Sequence, residues 1–136
     1  MVTYVLDSSA VLRYFDDEAG GERVAEIIKC HLQGTCQAVI AAPHWGEIAG
    51  IVCKKHGRRG MNLALSRLTA FGMEPIPADG NQSVEAALIS LGRHIPYVDA
   101  FGVSVATESP DRVLVTADFD LRPAQRDVKI EFLPTK

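Results

Sequence analysis

The amino-acid sequence predicts an α/β fold with a mainly parallel sheet, in one domain that covers residues 1–136. Short apolar runs of strand character alternate along the chain with longer segments whose apolar residues recur at helical spacing. The length of 136 residues is that of one ordinary domain, and the sequence contains no repeat, linker or low-complexity segment. An apolar fraction of 47% and a charged fraction of 23% are typical of a globular protein.

The first strand and the first two helices are predicted at the start of the chain. Residues 4–6 form a short apolar run that ends at Asp7, as a buried strand does before a helix. Asp7, Ser8 or Ser9 can cap that helix, because each side chain can accept a hydrogen bond from a free backbone N–H. Apolar residues then recur at helical spacing over 24–32, which predicts the second helix.

The middle of the chain adds a strand and two helices. Residues 38–41 form a second apolar strand, which ends before Pro43. From His44 onward apolar residues recur at helical spacing, and this helix is predicted to end at Gly57. A further helix is predicted around residues 61–68.

The last part of the chain predicts three strands and two helices. Residues 73–76 contain two prolines and are therefore an edge strand at best. The apolar residues of 84–95 lie on one face of a helix, whereas 98–107 is apolar on nearly all faces, which predicts a buried helix. Residues 113–115 form a strongly apolar strand, and 128–132 form the last strand.

Charge, cysteine content and the N-terminus narrow the classes of function. A net charge of −3 provides no global cationic field, so any contact with nucleic acid needs a local basic patch or recruited cations. The spacing of Cys30, Cys36 and Cys53 predicts free thiols in a reducing compartment rather than a disulfide frame or a zinc site. With no basic N-terminal region and no long apolar stretch, we expect neither a signal peptide nor a membrane span, and a cytoplasmic location.

Four acidic residues fall at the predicted carboxyl rim of the sheet, where sites collect in open α/β folds. Asp7 and Asp118 follow predicted strands, and Glu47 and Asp99 lie in the first turns of helices. Asp99 is the only charge in its apolar segment, and burial of an unpaired carboxylate is costly. A divalent cation is the simple remedy for several carboxylates at one rim, and hard oxygen ligands select Mg²⁺ or Mn²⁺ over zinc.

Each of these acids also has an ordinary structural explanation. Asp7 can be a helix cap, and Asp99 can interact with a helix dipole. Glu47 can be a solvated surface residue, and Asp118 and Asp120 can belong to a turn. The coincidence of four acids at one rim favours the joint functional interpretation.

Four short motifs, in fixed order along the chain, together match a known family. They are Asp7-Ser8-Ser9-Ala10 after a strand, Glu47 early in a helix, Asp99-Ala100 in an apolar helix, and Thr116-Ala117-Asp118-Phe119-Asp120 near the end. The set resembles the PIN-domain family, and most of all its small VapC-type ribonuclease toxins. The resemblance implies a three-layer α/β/α sandwich with a mainly parallel sheet of about five strands. It also implies a Mg²⁺- or Mn²⁺-dependent endoribonuclease.

The resemblance further implies roles for individual residues and for partners. The implied metal ligands, direct or through water, are Asp7, Asp99 and Asp118. Glu47 would complete the metal cage or orient the attacking water. The implied supporting residues are Ser9, Thr116 and Asp120. The implied partners are a tRNA or rRNA substrate, a VapB-type antitoxin protein and a second copy of the chain in a homodimer.

Two further features beside Glu47 have alternative explanations. The basic residues Lys54, Lys55, Arg58 and Arg59 can contact RNA, can receive an acidic partner segment, or can simply be a solvated helix end. His44 lies one turn before Glu47, a spacing that permits shared metal ligation, although a capping or packing role is more common for such a histidine.

Other functions fit the sequence less well. A phosphatase of the haloacid-dehalogenase type needs a second aspartate two residues after Asp7, where Ser9 stands. A receiver domain needs an acid pair before the strand that carries its phosphoacceptor aspartate, and a late lysine, and the sequence supplies neither convincingly. A catalytically inactive PIN-like binding module, or an RNA-processing nuclease without an antitoxin, stays an alternative. The apolar faces of 24–28 and 84–91 can serve the core, a dimer or an antitoxin.

Overall fold

The computed structural model describes residues 1–136 and contains a five-stranded sheet in which every strand pair is parallel. The strand order is β3-β2-β1-β4-β5, so β1 lies at the centre of the sheet. The strands are β1 (Thr3–Leu6), β2 (Gln37–Ala41), β3 (Pro75–Ile76), β4 (Arg112–Thr116) and β5 (Lys129–Phe132). The helices are α1 (Ser8–Phe15), α2 (Gly21–Leu32), α3 (Ala42–Ala70), α4 (Gly80–Arg93), α5 (Tyr97–Thr107) and a 3₁₀ helix over Phe119–Arg126. None of these helices is both long enough and apolar enough to cross a membrane.

Helices cover both faces of the sheet and give three layers. Successive strand residues point to opposite faces, so Leu6 and Val115 pack against α1, α2 and α3, whereas Val5 and Leu114 pack against α4 and α5. Each face therefore has its own hydrophobic core. The predicted α/β/α sandwich with a parallel sheet of about five strands is confirmed.

The central strands are buried because they are apolar on both faces. Val5, Leu6, Leu114 and Val115 have no exposed surface, as expected for strands enclosed by helices on both sides of a parallel sheet. The two-residue strand β3 occupies one edge, next to β2. Its Pro75 lacks a backbone N–H, so an edge is the position it tolerates.

Helix α5 is buried over seven consecutive residues, from Ala100 to Ala106. This burial agrees with its predicted apolar character on nearly all faces. Gly102 allows a close approach there, because an added Cβ would lie 3.2 Å from both His44 Nε2 and Leu114 Cδ1. Asp99 is in the first turn of this helix.

Helix α3 is divided at Gly57, as the sequence predicts. It consists of two helical segments on either side of a break in helical backbone geometry at this glycine. Gly57 has φ 74° and ψ 179°, a conformation that glycine adopts without the steric cost other residues have. The basic residues Lys54, Lys55, Arg58 and Arg59 surround this break and are exposed.

The apolar faces of α2 and α4, which the sequence does not assign to the core or to a partner, differ in burial. Val24, Ile27 and Ile28 of α2 are buried in the core. Val84, Leu88 and Leu91 of α4 are 62%, 64% and 74% exposed. The face of α4 therefore contributes to no part of the core.

Candidate metal centre

The four predicted acids lie at one rim of the sheet. Asp7 directly follows β1, and Asp118 follows β4 by two residues. Glu47 is in the second turn of α3 and Asp99 in the first turn of α5. Because β1 and β4 are neighbouring parallel strands, their carboxyl ends meet at the same edge.

Asp7 is almost completely buried, with 2% of its surface exposed. Its Oδ1 accepts hydrogen bonds from Ser9 Oγ at 2.7 Å and from the Ala10 N–H at 2.9 Å, so Asp7 is the N-cap of α1. The sequence left Asp7, Ser8 and Ser9 open as the cap. Burial raises the pKa of Asp7, although hydrogen bonds from Thr116, Ser9 and Ala10 and the nearby His44 oppose this.

The pKa of Asp99 shows that the other three acids lie close to it. Burial raises the pKa of Asp99 to about 6, against the effect of His44, and the negative charges of Asp7, Glu47 and Asp118 raise it further. All four acids are therefore close enough to interact electrostatically. The structure brings together the residues that the sequence proposed as the metal site.

Glu47 differs from Asp7 and Asp99 because its surroundings lower its pKa instead of raising it. Its side chain is 37% exposed, and its Oε1 lies 3.5 Å from His44 Nδ1 and accepts a short hydrogen bond from Ser8 Oγ. The adjacent imidazole of His44 and the hydrogen bond from Ser8 lower the pKa of Glu47 against the effect of its burial. Glu47 is therefore a carboxylate at neutral pH. Potential ligand atoms of His44, Glu47 and Asp99 all lie within 4.8 Å of one another.

The predicted supporting residues join the ends of β1 and β4. Ser9 Oγ lies 3.3 Å from Thr116 Oγ1 and accepts the backbone N–H of Ala117 at 2.9 Å. Thr116 Oγ1 accepts the N–H of Asp118 at 3.0 Å. Ser9 therefore connects the Asp7 carboxylate to the segment that carries Asp118.

Asp120 contributes to this arrangement through its backbone. Its N–H donates to Asp118 Oδ1 at 2.9 Å, which makes Asp118 the N-cap of the 3₁₀ helix. The Asp120 side chain is exposed. A supporting role for its carboxylate stays a prediction.

No lysine or arginine neutralises the acids of the cluster. None of the ion pairs in the structure includes Asp7, Asp99 or Asp118, and Glu47 has only the imidazole of His44 beside it. When several carboxylates lie close together without a basic partner, their negative charges repel one another and ionisation becomes unfavourable. A set of carboxylate oxygens matches the ligands that Mg²⁺ and Mn²⁺ prefer, so the residues present fit such an ion.

The basic residues lie on the same helix as Glu47 but farther along it. Lys54 is seven residues after Glu47, about 10 Å along the helix axis. Lys55 Nζ lies 3.4 Å from Asp16 Oδ2, and both Arg58 and Arg59 are exposed. The structure keeps these cations outside the acidic cluster, and their contact with RNA stays a prediction.

Two contributors to the site escaped the sequence-based assignment. Ser8 was considered only as a helix cap, and its hydroxyl instead donates to Glu47. His44 was considered mainly as a capping or packing residue, and its Nδ1 contacts both Ser8 and Glu47. Nothing in the sequence signals the contacts of Ser8 with His44 and Glu47, because they join residues 36 to 39 positions apart, whereas His44 and Glu47 are one helical turn apart.

The comparisons with known proteins agree with this fold. Residues 4–126 match the PIN domain family, so the chain belongs to this family. The predicted resemblance is therefore confirmed. Among curated proteins, none matches the chain closely enough to count as a relative.

Three solved structures share the fold over nearly the whole chain. VapBC2 from Rickettsia felis, bound to a DNA fragment from its promoter, matches with a TM-score of 0.77 and 12% identity, over 97% of this chain and 99% of that chain. DNA-bound VapBC from Salmonella typhimurium matches with a TM-score of 0.71 and 16% identity, over 97% and 98%. VapC20 from Mycobacterium tuberculosis, a sarcin-ricin loop cleaving toxin, matches with a TM-score of 0.67 and 14% identity, over 96% and 99%.

Proposed function

We propose that this protein is a metal-dependent endoribonuclease and the toxin of a type II toxin–antitoxin pair. The observation that carries the proposal is the convergence of Asp7, Glu47, Asp99 and Asp118 at one rim of the sheet with no lysine or arginine among them. Membership of the PIN domain family supports nuclease chemistry. The similarity in fold to VapC20 and to toxins in VapBC complexes supports the toxin assignment.

The four acids are proposed to have different roles, according to their surroundings. Asp7, Asp99 and Asp118 would hold Mg²⁺ or Mn²⁺ directly or through water. Such an ion supplies charge neutralisation for the phosphoryl oxygens and lowers the pKa of a water. Glu47 keeps its negative charge at neutral pH because His44 lies beside it and Ser8 donates a hydrogen bond to it. It would accept a hydrogen bond from the attacking water and orient it.

The proposed reaction is hydrolysis of an RNA phosphodiester bond. The water oxygen forms a bond to phosphorus, the bond from phosphorus to O3′ breaks, and O3′ takes up a proton. The products carry a 5′-phosphate and a 3′-hydroxyl, and no 2′-hydroxyl nucleophile is required. Lys54, Lys55, Arg58 and Arg59 would contact the RNA backbone beside the cleft, where cations increase affinity for phosphates.

The proposed protein partners are a VapB-type antitoxin and a second copy of the chain. Two of the similar structures are VapBC complexes, which supports the antitoxin assignment. For the homodimer we propose the apolar stripe of α4, formed by Val84, Leu88 and Leu91. Its residues recur at helical spacing and are exposed, and such a stripe suits a helix from a second copy.

The proposed location is the cytoplasm. Cys30, Cys36 and Cys53 are free thiols in the structure, as expected in a reducing compartment. The proposed toxin would act there on tRNA or rRNA.

The function is tested by incubating the purified, antitoxin-free full chain with a pool of tRNA and rRNA. Parallel reactions contain Mg²⁺, Mn²⁺ or EDTA, and the variants are Asp118→Asn and, as a matched control, the exposed Asp111→Asn. We expect cleavage that requires the metal, is lost in Asp118→Asn and is retained in Asp111→Asn. A folded wild-type protein that cleaves no RNA with either metal contradicts the proposal and favours a binding module.

A further inference from the structure

His44 is a fully buried imidazole at the edge of the acidic cluster. Its exposed surface is 0%, and its Nε2 has no hydrogen-bond partner. The ring fills a fixed space, because a Cβ added to Gly102 would lie 3.2 Å from Nε2 and 3.6 Å from Cδ2. A buried polar nitrogen without a hydrogen bond costs free energy. A histidine enclosed this tightly therefore destabilises the fold unless its other nitrogen makes a stabilising contact.

The other nitrogen, Nδ1, lies where two helices begin. It accepts the backbone N–H of Ser8 at 3.4 Å, and it lies 3.2 Å from Ser8 Oγ. The Ser8 N–H belongs to the first turn of α1, whose N–H groups have no partner inside the helix. His44 itself stands in the first turn of α3. The imidazole therefore connects the start of α1, which follows Asp7, to the helix that carries Glu47.

Ser8 extends this connection to the carboxylate. Its hydroxyl donates to Glu47 Oε1, and His44 Nδ1 lies 3.5 Å from the same oxygen. The three residues form a closed set of contacts that fixes the direction of the Glu47 carboxylate relative to Asp7. An apolar side chain in place of His44 would leave the Ser8 N–H buried without a partner.

We infer that His44 is a positioning residue, which holds the Glu47 carboxylate in place through Ser8 so that it faces the bound metal and the attacking water. The inference rests on the proposed metal-dependent function. The inference places His44 outside the metal ligands, because its Nδ1 lies against Ser8 and its Nε2 lies beside Gly102 of α5.

The two amide substitutions of His44 separate this role from simple packing. In His44→Asn the amide can occupy the place of Nδ1, whereas in His44→Gln it reaches the place of Nε2. His31 offers a matched control, because its Nδ1 also accepts a backbone N–H, that of Ala38 at 3.0 Å, at the opposite end of β2 from the site. Mn²⁺ affinity, kcat and KM for RNA, and thermal stability are measured on each full-length variant.

We expect His44→Gln to lower Mn²⁺ affinity and kcat by about 10-fold or more, the usual effect of removing a group that orients a ligand, with KM for RNA little changed. His44→Asn should retain most of both, and His31→Asn should change neither. Ser8→Ala should lower both as well. Since Ser8 and His44 act as one unit, the double variant with His44→Gln should lose no more than the worse single variant.

Three results would overturn the inference. The first is a folded His44→Gln protein with the Mn²⁺ affinity and kcat of the wild type. The second is a double variant whose losses multiply. The third is electron spin-echo modulation from a nitrogen bonded directly to Mn²⁺, which would make His44 a ligand. If the wild type binds no Mn²⁺ and cleaves no RNA, the proposed function fails together with the inference. If the wild type binds Mn²⁺ and His44→Gln binds it equally well with the same kcat, the inference is overturned and the proposed function is not.

Discussion

Replacement of Asp99 by asparagine should stabilise the metal-free protein at neutral pH. The Asp99 carboxylate is half-buried in the first turn of α5 and lies near three other acids. The structure gives its side chain no hydrogen-bond or ion-pair partner. Asparagine has the same shape without the charge, so the substitution removes an electrostatic cost and no contact.

The size of the effect follows from the pKa of Asp99. A rise from 3.8 to about 6 makes the charged form of the folded protein cost about 3 kcal/mol, at about 1.4 kcal/mol per pKa unit. Since the group is partly open to solvent, screening reduces this to about 1–2 kcal/mol.

The pH dependence has a definite sign. Because the folded pKa of Asp99 is above its unfolded value of 3.8, the folded protein binds more protons between these pKa values. The wild type therefore loses stability as the pH rises from about 4 to above 6, and Asp99→Asn does not share this loss. The advantage of the variant should be complete at pH 7.5 and about half as large at pH 5.

The assay is urea unfolding in EDTA at pH 5 and 7.5, repeated with Mn²⁺ at pH 7.5. The control is Asp111→Asn, which removes an exposed carboxylate of the same type. With Mn²⁺ at about 100 times its dissociation constant, the wild type should gain about 2.7 kcal/mol and become the more stable protein. An Asp99→Asn variant that is less stable than the wild type in EDTA at pH 7.5, or whose stability order Mn²⁺ does not reverse, would refute the reasoning.

Three further substitutions test other parts of the structure. Ser9→Ala should cost about 1–3 kcal/mol in urea unfolding, because it leaves the partly buried Ala117 N–H without its acceptor, and should lower Mn²⁺ affinity about 10-fold or more in calorimetry. Unchanged Mn²⁺ affinity would show that Ser9 does not hold Asp7 for the metal. Gly102→Ala should destabilise the protein by about 1 kcal/mol net, since crowding against the fully buried His44 and Leu114 outweighs the gain in helix propensity; a variant more stable than the wild type would show that the ring can move. Leu88→Glu should convert a dimer to a monomer in light scattering without lowering the melting temperature of the subunit, because Leu88 is 64% exposed; a wild type that is monomeric at all concentrations contradicts the α4 interface.

The fold was predictable because its signals are local. Alternation of apolar strands with helical patterns predicts a parallel sheet, and the carboxyl ends of its strands then meet at one rim. Asp7 and Asp118 could be assigned to the site because Asp7 follows a strand directly and Asp118 follows one by two residues. Asp99 could be assigned because it is the only charge in a helix that is otherwise apolar.

The contacts around Glu47 were not predictable because they depend on how two helices meet. Ser8 and His44 lie in the first turns of α1 and α3, and only the relative position of β1 and β2 brings those turns together. The sequence pattern likewise does not separate a core face from an exposed one. The apolar stripes of α2 and α4 have the same periodicity, but only the former meets another element of the core.

The most direct test of the metal site is a crystal structure of the protein soaked in Mn²⁺, with anomalous diffraction data. The account predicts an anomalous peak among the carboxylates of Asp7, Asp99 and Asp118, with Glu47 at its edge and His44 outside the coordination sphere. The Asp118→Asn protein under the same conditions should show a weaker peak or none. Crystals of the wild type that show no peak in this cluster at a saturating Mn²⁺ concentration, or a peak only elsewhere, would contradict the account.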